Sequence, residues 1–303
     1  MDVTQLQKGR LALTRLAPRN LVNSELIKTA KYNHLAQFAV IFILAIALKQ
    51  YYSTASVNEL RWILGPTAFL VEVASGRTFK FESFAGYMSS DHTFIIAASC
   101  AGVNFLITAF LMLSLRKLWS DHRMFYDRRR DGERARKTPW TFILFAALAA
   151  YLATLLANTV RISIALWIQS LPPGNGWLSK NQLHRLQGIF IYFGFLLLLF
   201  LVSEAITAVR LENQNVRGRA GGRKTFGHFS RFVFPLLIYY ATTFGIPLLN
   251  GAYRQGADFW EHSLALFAIP LLLVLSVMTF TCLRQFCFQR SFRIFSSARR
   301  RST

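Results

Sequence analysis

The sequence predicts an all-α polytopic membrane protein with six firm transmembrane helices. Of its 303 residues, 53% are hydrophobic and 28 are phenylalanine. Six apolar runs reach the length of roughly 20 residues that a helix needs to cross a bilayer. The net charge is +21, and the basic residues cluster between these runs. This arrangement is typical of basic loops beside membrane helices rather than of a nucleic-acid-binding surface.

The six predicted crossings follow one another along most of the chain. They cover residues 34–52, 99–118, 139–160, 184–209, 231–249 and 261–283. The region 60–98 contains a further apolar stretch interrupted by Pro66 and Glu72, followed by a stretch with several ionisable residues. We expect one or two short re-entrant or extra membrane segments here. An outer-surface element and a paired short crossing remain as alternatives.

The basic residues divide the loops into two sets. Of the 35 lysines and arginines, 27 lie in the segments 1–33, 116–138, 210–231 and 284–301. Cytoplasmic loops of membrane proteins carry an excess of these residues. We therefore expect a multi-pass protein of the cytoplasmic (inner) membrane, with both termini in the cytoplasm and residues 53–98 outside.

This topology brings three reactive side chains to one depth in the membrane. Cys100 begins the second crossing at its outer end, Arg161 ends the third, and His184 begins the fourth. Cys282 and Cys287 are expected at the inner side, so Cys100 has no disulfide partner on its own side. A lone thiol that faces an oxidising compartment is a liability unless it is shielded or used.

The segment around Cys100 has two interpretations. Cys100 and Asn104 are four residues apart, which predicts that they share one face of a helix. The small residues Ala101 and Gly102 would let a neighbouring backbone approach. A helix N-terminus and a nearby cation would favour the nucleophilic thiolate. The alternative is a buried packing residue, because free cysteine often behaves as a small hydrophobe.

Arg161 and His184 also have a functional and a structural interpretation. Asn158 precedes Arg161 by three residues and apolar residues follow it, which favours a guanidinium that faces the protein interior over one that snorkels to headgroups. Such a group can hold a thiolate or a developing oxyanion. His184, one turn before Gly188, is a candidate proton shuttle or a headgroup contact. His92 competes for the same role.

These segments resemble the motifs of the exosortase/archaeosortase family of integral-membrane transpeptidases. The motifs are "CAG" at 100–102, "NTVR" at 158–161 and "HRLQG" at 184–188, in the family's order. The string "ASCAGVNF" at 98–105 is similar to the exosortase K type, although many family members have serine where Ala101 stands. The resemblance covers roughly residues 34–209.

The resemblance implies a cysteine-type membrane transpeptidase or peptidase. Cys100 would be the nucleophile, with Arg161 and His184 completing the catalytic site. Of the supporting residues, Gly102, Asn158 and Gly188 belong to these motifs, and we add Asn104 and His92 from their spacing to Cys100. The chain would then consist of a basic cytoplasmic segment 1–33, a transmembrane catalytic domain 34–283 and a basic cytoplasmic tail 284–303.

The implied partner is a membrane protein with a C-terminal sorting signal, made of a short motif, a transmembrane helix and a basic end. The enzyme would cleave near the motif on the outer face through an acyl-enzyme on Cys100. The sequence shows no metal-ligand spacing or phosphate-binding loop, so we expect no cofactor, no metal and no nucleic acid, with the lipid bilayer as surroundings. The alternatives are a transporter or channel with Arg161 and His184 lining a polar path, and a membrane acyltransferase that uses His184.

Overall fold

The computed structural model describes residues 19–130, 139–170, 180–215, 230–249, 254, 260, 263–280 and 283. These residues are mostly helical. The helices are α1 Arg19–Thr54, α2 Arg61–Ser75, α3 Val103–Arg130, α4 Thr141–Ser170, α5 Lys180–Asn215, α6 Ser230–Tyr240, α7 Ile246–Leu249 and α8 Ser263–Phe280.

Six helical segments are long and apolar enough to cross a membrane. They are Tyr32–Thr54, Ala98–His122, Thr141–Ser170, Arg185–Val209, Arg231–Leu248 and Ser263–Phe280. The predicted helical fold with six crossings is therefore confirmed, and the chain is a multi-pass membrane protein. The bounds agree to within four residues at every end but one: the third crossing is predicted to end at residue 160, but its helix, α4, continues to Ser170. Arg161 consequently lies inside a helix rather than at its end.

The second span lies at the centre of the described helices. In the apolar stretch of this span 72% of the residues are buried inside the protein, whereas in that of the first span only 17% are buried. The first span therefore offers most of its surface to lipid. The residues just before α3 begin this central span, so a group placed there is surrounded by neighbouring helices.

The composition of α4 explains how it packs closely on its neighbours. The helix is rich in alanine and leucine, which are strong helix formers. Its alanines at 146, 150, 153 and 157 recur at helical spacing and are buried. Small side chains on one face let other helices approach closely in a membrane. Accordingly, α4 packs against α2, α3 and α5.

The region 60–98 forms one short helix and a small sheet. Helix α2 has 15 residues, or about 22 Å at 1.5 Å per residue, which is shorter than the hydrocarbon core of a bilayer. The hydroxyl of Tyr151 in α4 donates to the Trp62 carbonyl at 2.9 Å, and the two rings stack. Strands β1 Phe79–Glu82, β2 Gly86–Ser89 and β3 Ile95–Ile96 follow and form an antiparallel sheet in the order β1-β2-β3.

The sheet lies against α2. The Glu72 carboxylate, which interrupts the apolar stretch in the sequence, accepts a hydrogen bond from the Phe79 backbone N–H at 2.6 Å. The Arg61 guanidinium lies 4.4 Å from the centre of the Phe81 ring. These contacts account for charged residues inside an otherwise apolar segment. Residues 79–96 therefore form a small sheet with its turns and not a helix that could cross the membrane.

Two buried charged residues, Arg116 and Glu204, interact with each other, and Glu204 also pairs with the partly exposed Arg231. This Arg116–Glu204–Arg231 cluster joins α3, α5 and the start of α6. Glu204 is 5% exposed and its Oε1 lies 3.0 Å from Nε of Arg231. The guanidinium of Arg116, which is 6% exposed, donates to the Thr207 hydroxyl at 3.2 Å and lies over the Phe200 ring. Ionisable groups at membrane depth need such partners.

Replacing Glu204 with glutamine is expected to destabilise the protein without changing its chemistry. The substitution leaves Arg231 without its anionic partner, which should lower the free energy of unfolding by about 2 kcal/mol. Thermal unfolding in detergent measures this loss. The control is Asp121→Asn, which removes the (i, i+4) pair with half-exposed Lys117 and should cost less than about 1 kcal/mol.

A measurement of activity distinguishes lost stability from lost function. Glu204 follows Gly188, a residue of the predicted site, by sixteen residues in α5, about 24 Å along the helix. We therefore expect each folded Glu204→Gln molecule to catalyse the predicted cleavage at the wild-type rate, if the protein has that activity. A lost rate with intact folding would place the chemistry of this protein at the charged cluster.

Candidate active site

Cys100 lies in a tight turn that precedes α3. The residues Ala98–Cys100 form one turn of 3₁₀-helix, and the Cys100 N–H donates to the Ala97 carbonyl at 2.8 Å. Gly102 follows with φ of +67°, in the left-handed region, and α3 begins at Val103. Cys100 is 9% exposed and forms no disulfide with another described residue.

The predicted pairing of Cys100 with Asn104 on one helical face is wrong. The left-handed Gly102 interrupts the helical path between them, so Cys100 precedes the helix and Asn104 lies in its first turn. Asn104 is exposed, and its Oδ1 accepts a hydrogen bond from Nζ of Lys49 in α1 at 2.8 Å. A four-residue spacing indicates a common face only when the helix is continuous across it.

Asn158, rather than Asn104, holds the cysteine turn. It is fully buried in α4, and its Nδ2 donates to the Ala101 carbonyl at 2.9 Å. A Cβ atom on Gly102 would lie 2.5 Å from Oδ1 of Asn158. The first two sequence motifs therefore interlock: the glycine admits the amide, and the amide binds the carbonyl that follows Cys100.

Arg161 brings a cation to the thiol. Its Nη2 lies 4.0 Å from Sγ of Cys100, and its Nη1 donates to the Tyr192 hydroxyl at 2.5 Å. The side chain is partly buried. A guanidinium at this depth is expected to contact groups of the protein interior, and both of these partners lie on other elements of the fold.

Tyr192, which the sequence analysis missed, completes the connection between α4 and α5. Its hydroxyl donates to Oδ1 of Asn158 at 2.7 Å, and its ring stacks on Phe105 of α3 with centroids 5.2 Å apart. A signal was present in the sequence: residues 184, 188 and 192 follow one another at four-residue intervals and so recur on one side of a helix.

The third motif lies beside Arg161. Nε2 of Gln187 donates to the Arg161 carbonyl at 2.7 Å. A Cβ atom on Gly188 would lie 4.0 Å from Cδ and Nε of Arg161, an ordinary contact distance, so this glycine is a near neighbour but is not required for space. His184 is in α5, one turn before Gly188. The side chain of His184 is outside the described residues.

The structure does not bring His92 next to Cys100. His92 is exposed in the turn between β2 and β3, with φ of 53°, and its Nδ1 lies 2.8 Å from Sδ of Met88. The neighbouring Thr93 carbonyl accepts a hydrogen bond from Gln169. Gln169 is eight residues beyond Arg161 in α4, or about 12 Å along the helix.

The turn around His92 has its own polar network. The exposed Asp91 accepts hydrogen bonds from Ser89 and Thr93. These hydrogen bonds, that of Ser89 most of all, lower the pKa of Asp91 to about 2, well below its usual range. Arg77 lies 3.4 Å from the same carboxylate. Because the folded pKa is lowered, these contacts favour the folded turn at neutral pH, and this contribution is lost as the pH falls through the range from about 4 to about 2.

Helix α1 closes the site from the remaining side. The Tyr52 hydroxyl donates to the Ala98 carbonyl at 3.4 Å, and Nζ of Lys49 lies 5.8 Å from the centre of the Tyr52 ring. Neither residue was predicted from sequence. Tyr52 reaches the cysteine turn through a contact with a residue 46 positions away in sequence, and no local sequence pattern indicates such a contact.

The assembled site contains a thiol, a guanidinium and a hydrogen-bonded support, and this set suits nucleophilic chemistry at a carbonyl. Within the described ranges, no group of three or more His, Cys, Asp or Glu side chains is placed to hold a metal ion. No family model, curated protein or solved structure matches the chain.

Replacing Gly102 with alanine is expected to disrupt the site. A non-glycine residue in the left-handed region costs roughly 1–2 kcal/mol, and the added Cβ would force Asn158 away from the Ala101 carbonyl. The position of Cys100 should then change, lowering the rate of the cleavage that the sequence predicts by about tenfold or more. Product formed per correctly inserted protein molecule measures the effect.

Gly194→Ala is the matched control for this substitution. Gly194 lies in α5, and a Cβ atom there would meet no heavy atom within 4 Å. It should therefore retain the wild-type rate. A Gly102→Ala variant as active as Gly194→Ala would contradict the interlocked arrangement of Gly102 and Asn158.

Proposed function

We propose that the protein is a membrane-embedded cysteine protease or transpeptidase, of the exosortase/archaeosortase kind, that processes membrane proteins bearing a C-terminal sorting signal. The observation that supports this most strongly is the approach of Arg161 Nη2 to Cys100 Sγ at 4.0 Å. These residues are 61 positions apart in sequence. They belong to two separate motifs of the resemblance, and a packing cysteine would not need a cation beside it.

The reaction begins at the scissile amide of the substrate. His184 takes the thiol proton of Cys100, and the thiolate attacks the carbonyl carbon to form a tetrahedral intermediate. Arg161, already beside the sulfur, stabilises the negative charge on the carbonyl oxygen. The C–N bond then breaks, His184 returns the proton to the departing amine, and the acyl group remains on Cys100 as a thioester.

The second half-reaction releases the acyl group. Water or an amine-bearing acceptor attacks the thioester carbonyl while His184 removes a proton from the attacking group. The C–S bond breaks and the sulfur regains its proton from His184. Hydrolysis and transpeptidation differ only in the acceptor.

The distribution of basic residues supports a site on the outer face. Cys100 precedes α3, and Arg161 lies in the second half of α4, so both are at the bundle end reached by the end of α1. The loops at the other ends of these helices contain 27 of the 35 basic residues together with the termini. Cytoplasmic loops are the basic ones. A site at the opposite end suits a scissile bond held just above a transmembrane anchor.

Labelling of introduced cysteines is expected to reveal this orientation. In a background with alanine at positions 100, 282 and 287, an impermeant thiol reagent added to intact cells should modify cysteines at positions 84 and 172. Position 84 is a suitable probe because Phe84 is 99% exposed at the hairpin turn. Cysteines at positions 129 and 221 should react only after the membrane is permeabilised. The reversed pattern would contradict an outer-face site.

The direct test of the proposed function is to trap the acyl-enzyme. The full-length protein is expressed with a candidate substrate that carries a motif, a transmembrane helix and a basic end. Mass spectrometry should find the substrate's acyl fragment on Cys100, in a form released by hydroxylamine. A transporter or channel would give no such adduct. Processing without an adduct, retained in Cys100→Ala, would instead favour an acyltransferase centred on His184.

A further inference from the structure

The Tyr192 hydroxyl is the junction of the hydrogen-bond network around Cys100. It accepts a hydrogen bond from Nη1 of Arg161 at 2.5 Å and donates to Oδ1 of Asn158 at 2.7 Å. A hydroxyl has one proton to donate, and a guanidinium can only donate. The direction of both hydrogen bonds is therefore determined by the chemistry of the three side chains.

The network closes on itself through the cysteine turn. Asn158 uses Nδ2 for the Ala101 carbonyl, which leaves its Oδ1 to face Tyr192. From Tyr192 the network continues through Arg161, whose Nη2 reaches Cys100 Sγ, and the Cys100–Ala101 peptide completes the ring. Each hydrogen bond is consistent with the donors and acceptors next to it, so the directions of the hydrogen bonds among Arg161, Tyr192 and Asn158 are fixed.

We propose that Tyr192 is a positioning residue that aims Nη2 of Arg161 at the sulfur of Cys100. This inference rests on the proposed function, in which that pair performs the chemistry. The guanidinium is planar and rigid, so holding Nη1 on the hydroxyl sets the direction of Nη2. The Tyr192 ring lies 5.4 Å below the guanidinium carbon and stacks on Phe105, which keeps the hydroxyl itself in place.

The phenylalanine variant isolates the hydroxyl. Tyr192→Phe retains the ring and its stacking on Phe105 but removes the hydroxyl that accepts a hydrogen bond from Nη1, which should weaken the orientation of Nη2 toward the thiol. A group that stabilises negative charge beside the sulfur should favour an anionic reagent over a neutral one. The ratio of the two reaction rates, measured on protein that thermal unfolding shows to be folded, therefore reports the orientation of the guanidinium, because a change in the accessibility of the thiol affects both reagents.

The test uses full-length protein in detergent with alanine at positions 282 and 287, so that Cys100 is the sole thiol. Alkylation by iodoacetate and by iodoacetamide is followed by mass spectrometry. We expect Tyr192→Phe to lower the iodoacetate-to-iodoacetamide rate ratio about fivefold, the effect of one hydrogen bond, and Arg161→Gln to lower it at least as much. Tyr151→Phe, which removes a tyrosine hydrogen bond elsewhere on α4, should leave the ratio unchanged.

The other outcomes overturn the inference in distinguishable ways. A ratio that falls in Arg161→Gln but not in Tyr192→Phe removes the role of Tyr192 and leaves the Arg161–Cys100 pair of the proposed function intact. Equal changes in both rates, with a constant ratio, would mean that Tyr192 only maintains the fold. A ratio unaffected by Arg161→Gln, or a wild-type thiol that neither reagent reaches, would contradict the proposed function as well.

Discussion

Cys100→Ala is expected to abolish processing, with no product above background from correctly inserted protein. The substitution removes the only described thiol near Arg161 and with it the atom that would form the thioester. Alanine is already present in this segment, since Ala98 lies in the turn and Ala101 directly follows it, so the fold should persist. Product per folded protein molecule is the measurement, with folding checked by the thermal unfolding of the purified protein.

Cys100→Ser distinguishes nucleophilicity from shape. Serine is nearly the same size, but its hydroxyl is a much weaker nucleophile than a thiolate at neutral pH. We expect a rate lower by about three orders of magnitude or more, or about 4 kcal/mol in activation free energy. Wild-type activity in either variant would show that Cys100 has a packing role and would end the cysteine mechanism.

The helical framework could be predicted from sequence because its cause is local. A run of apolar residues long enough to cross a bilayer must form a helix there, since its backbone groups find no partners in lipid. All six spans follow from this constraint. The end of α4 was misplaced because Arg161 resembles a boundary residue, whereas its partners on α5 and beside α3 allow the helix to continue for nine further residues.

The candidate site was only partly predictable. Cys100, Asn158 and Arg161 were selected from their motifs, and the structure places them together. Asn104 was assigned to the wrong surface because the left-handed conformation of Gly102 cannot be recognised from a four-residue spacing. Tyr192 was missed because a tyrosine in an aromatic-rich crossing resembles an ordinary packing residue until its hydroxyl partners are known.

The small sheet is the part of the fold that sequence patterns represented least well. Its strands have two to four residues, too few for a clear alternation of polar and apolar side chains. Its position depends on contacts with α2, such as the one between Glu72 and Phe79. The same sheet removes His92 from the site, because that residue is needed in the turn between two strands.

Arg161→Lys is expected to be severely impaired even though it keeps the positive charge. In the wild type one planar guanidinium contacts Tyr192 through Nη1 and Cys100 through Nη2. An ammonium is a single point at the end of a flexible chain and cannot occupy both positions. If it stays with the tyrosine, the developing oxyanion loses its stabilising group, and we expect a rate lower by about a hundredfold or more.

Two further variants make this expectation decisive. Arg77→Lys is the control, because Arg77 forms a half-exposed pair with Asp91 away from the site, and it should process at the wild-type rate. Arg161→Gln removes the charge and should be as inactive as the lysine variant, or more so. All rates are measured in single turnover as product per inserted enzyme. If Arg161→Lys were within a few-fold of wild type while Arg161→Gln was inactive, charge alone would suffice, and the two-pronged contact with Tyr192 and Cys100 would have no catalytic importance.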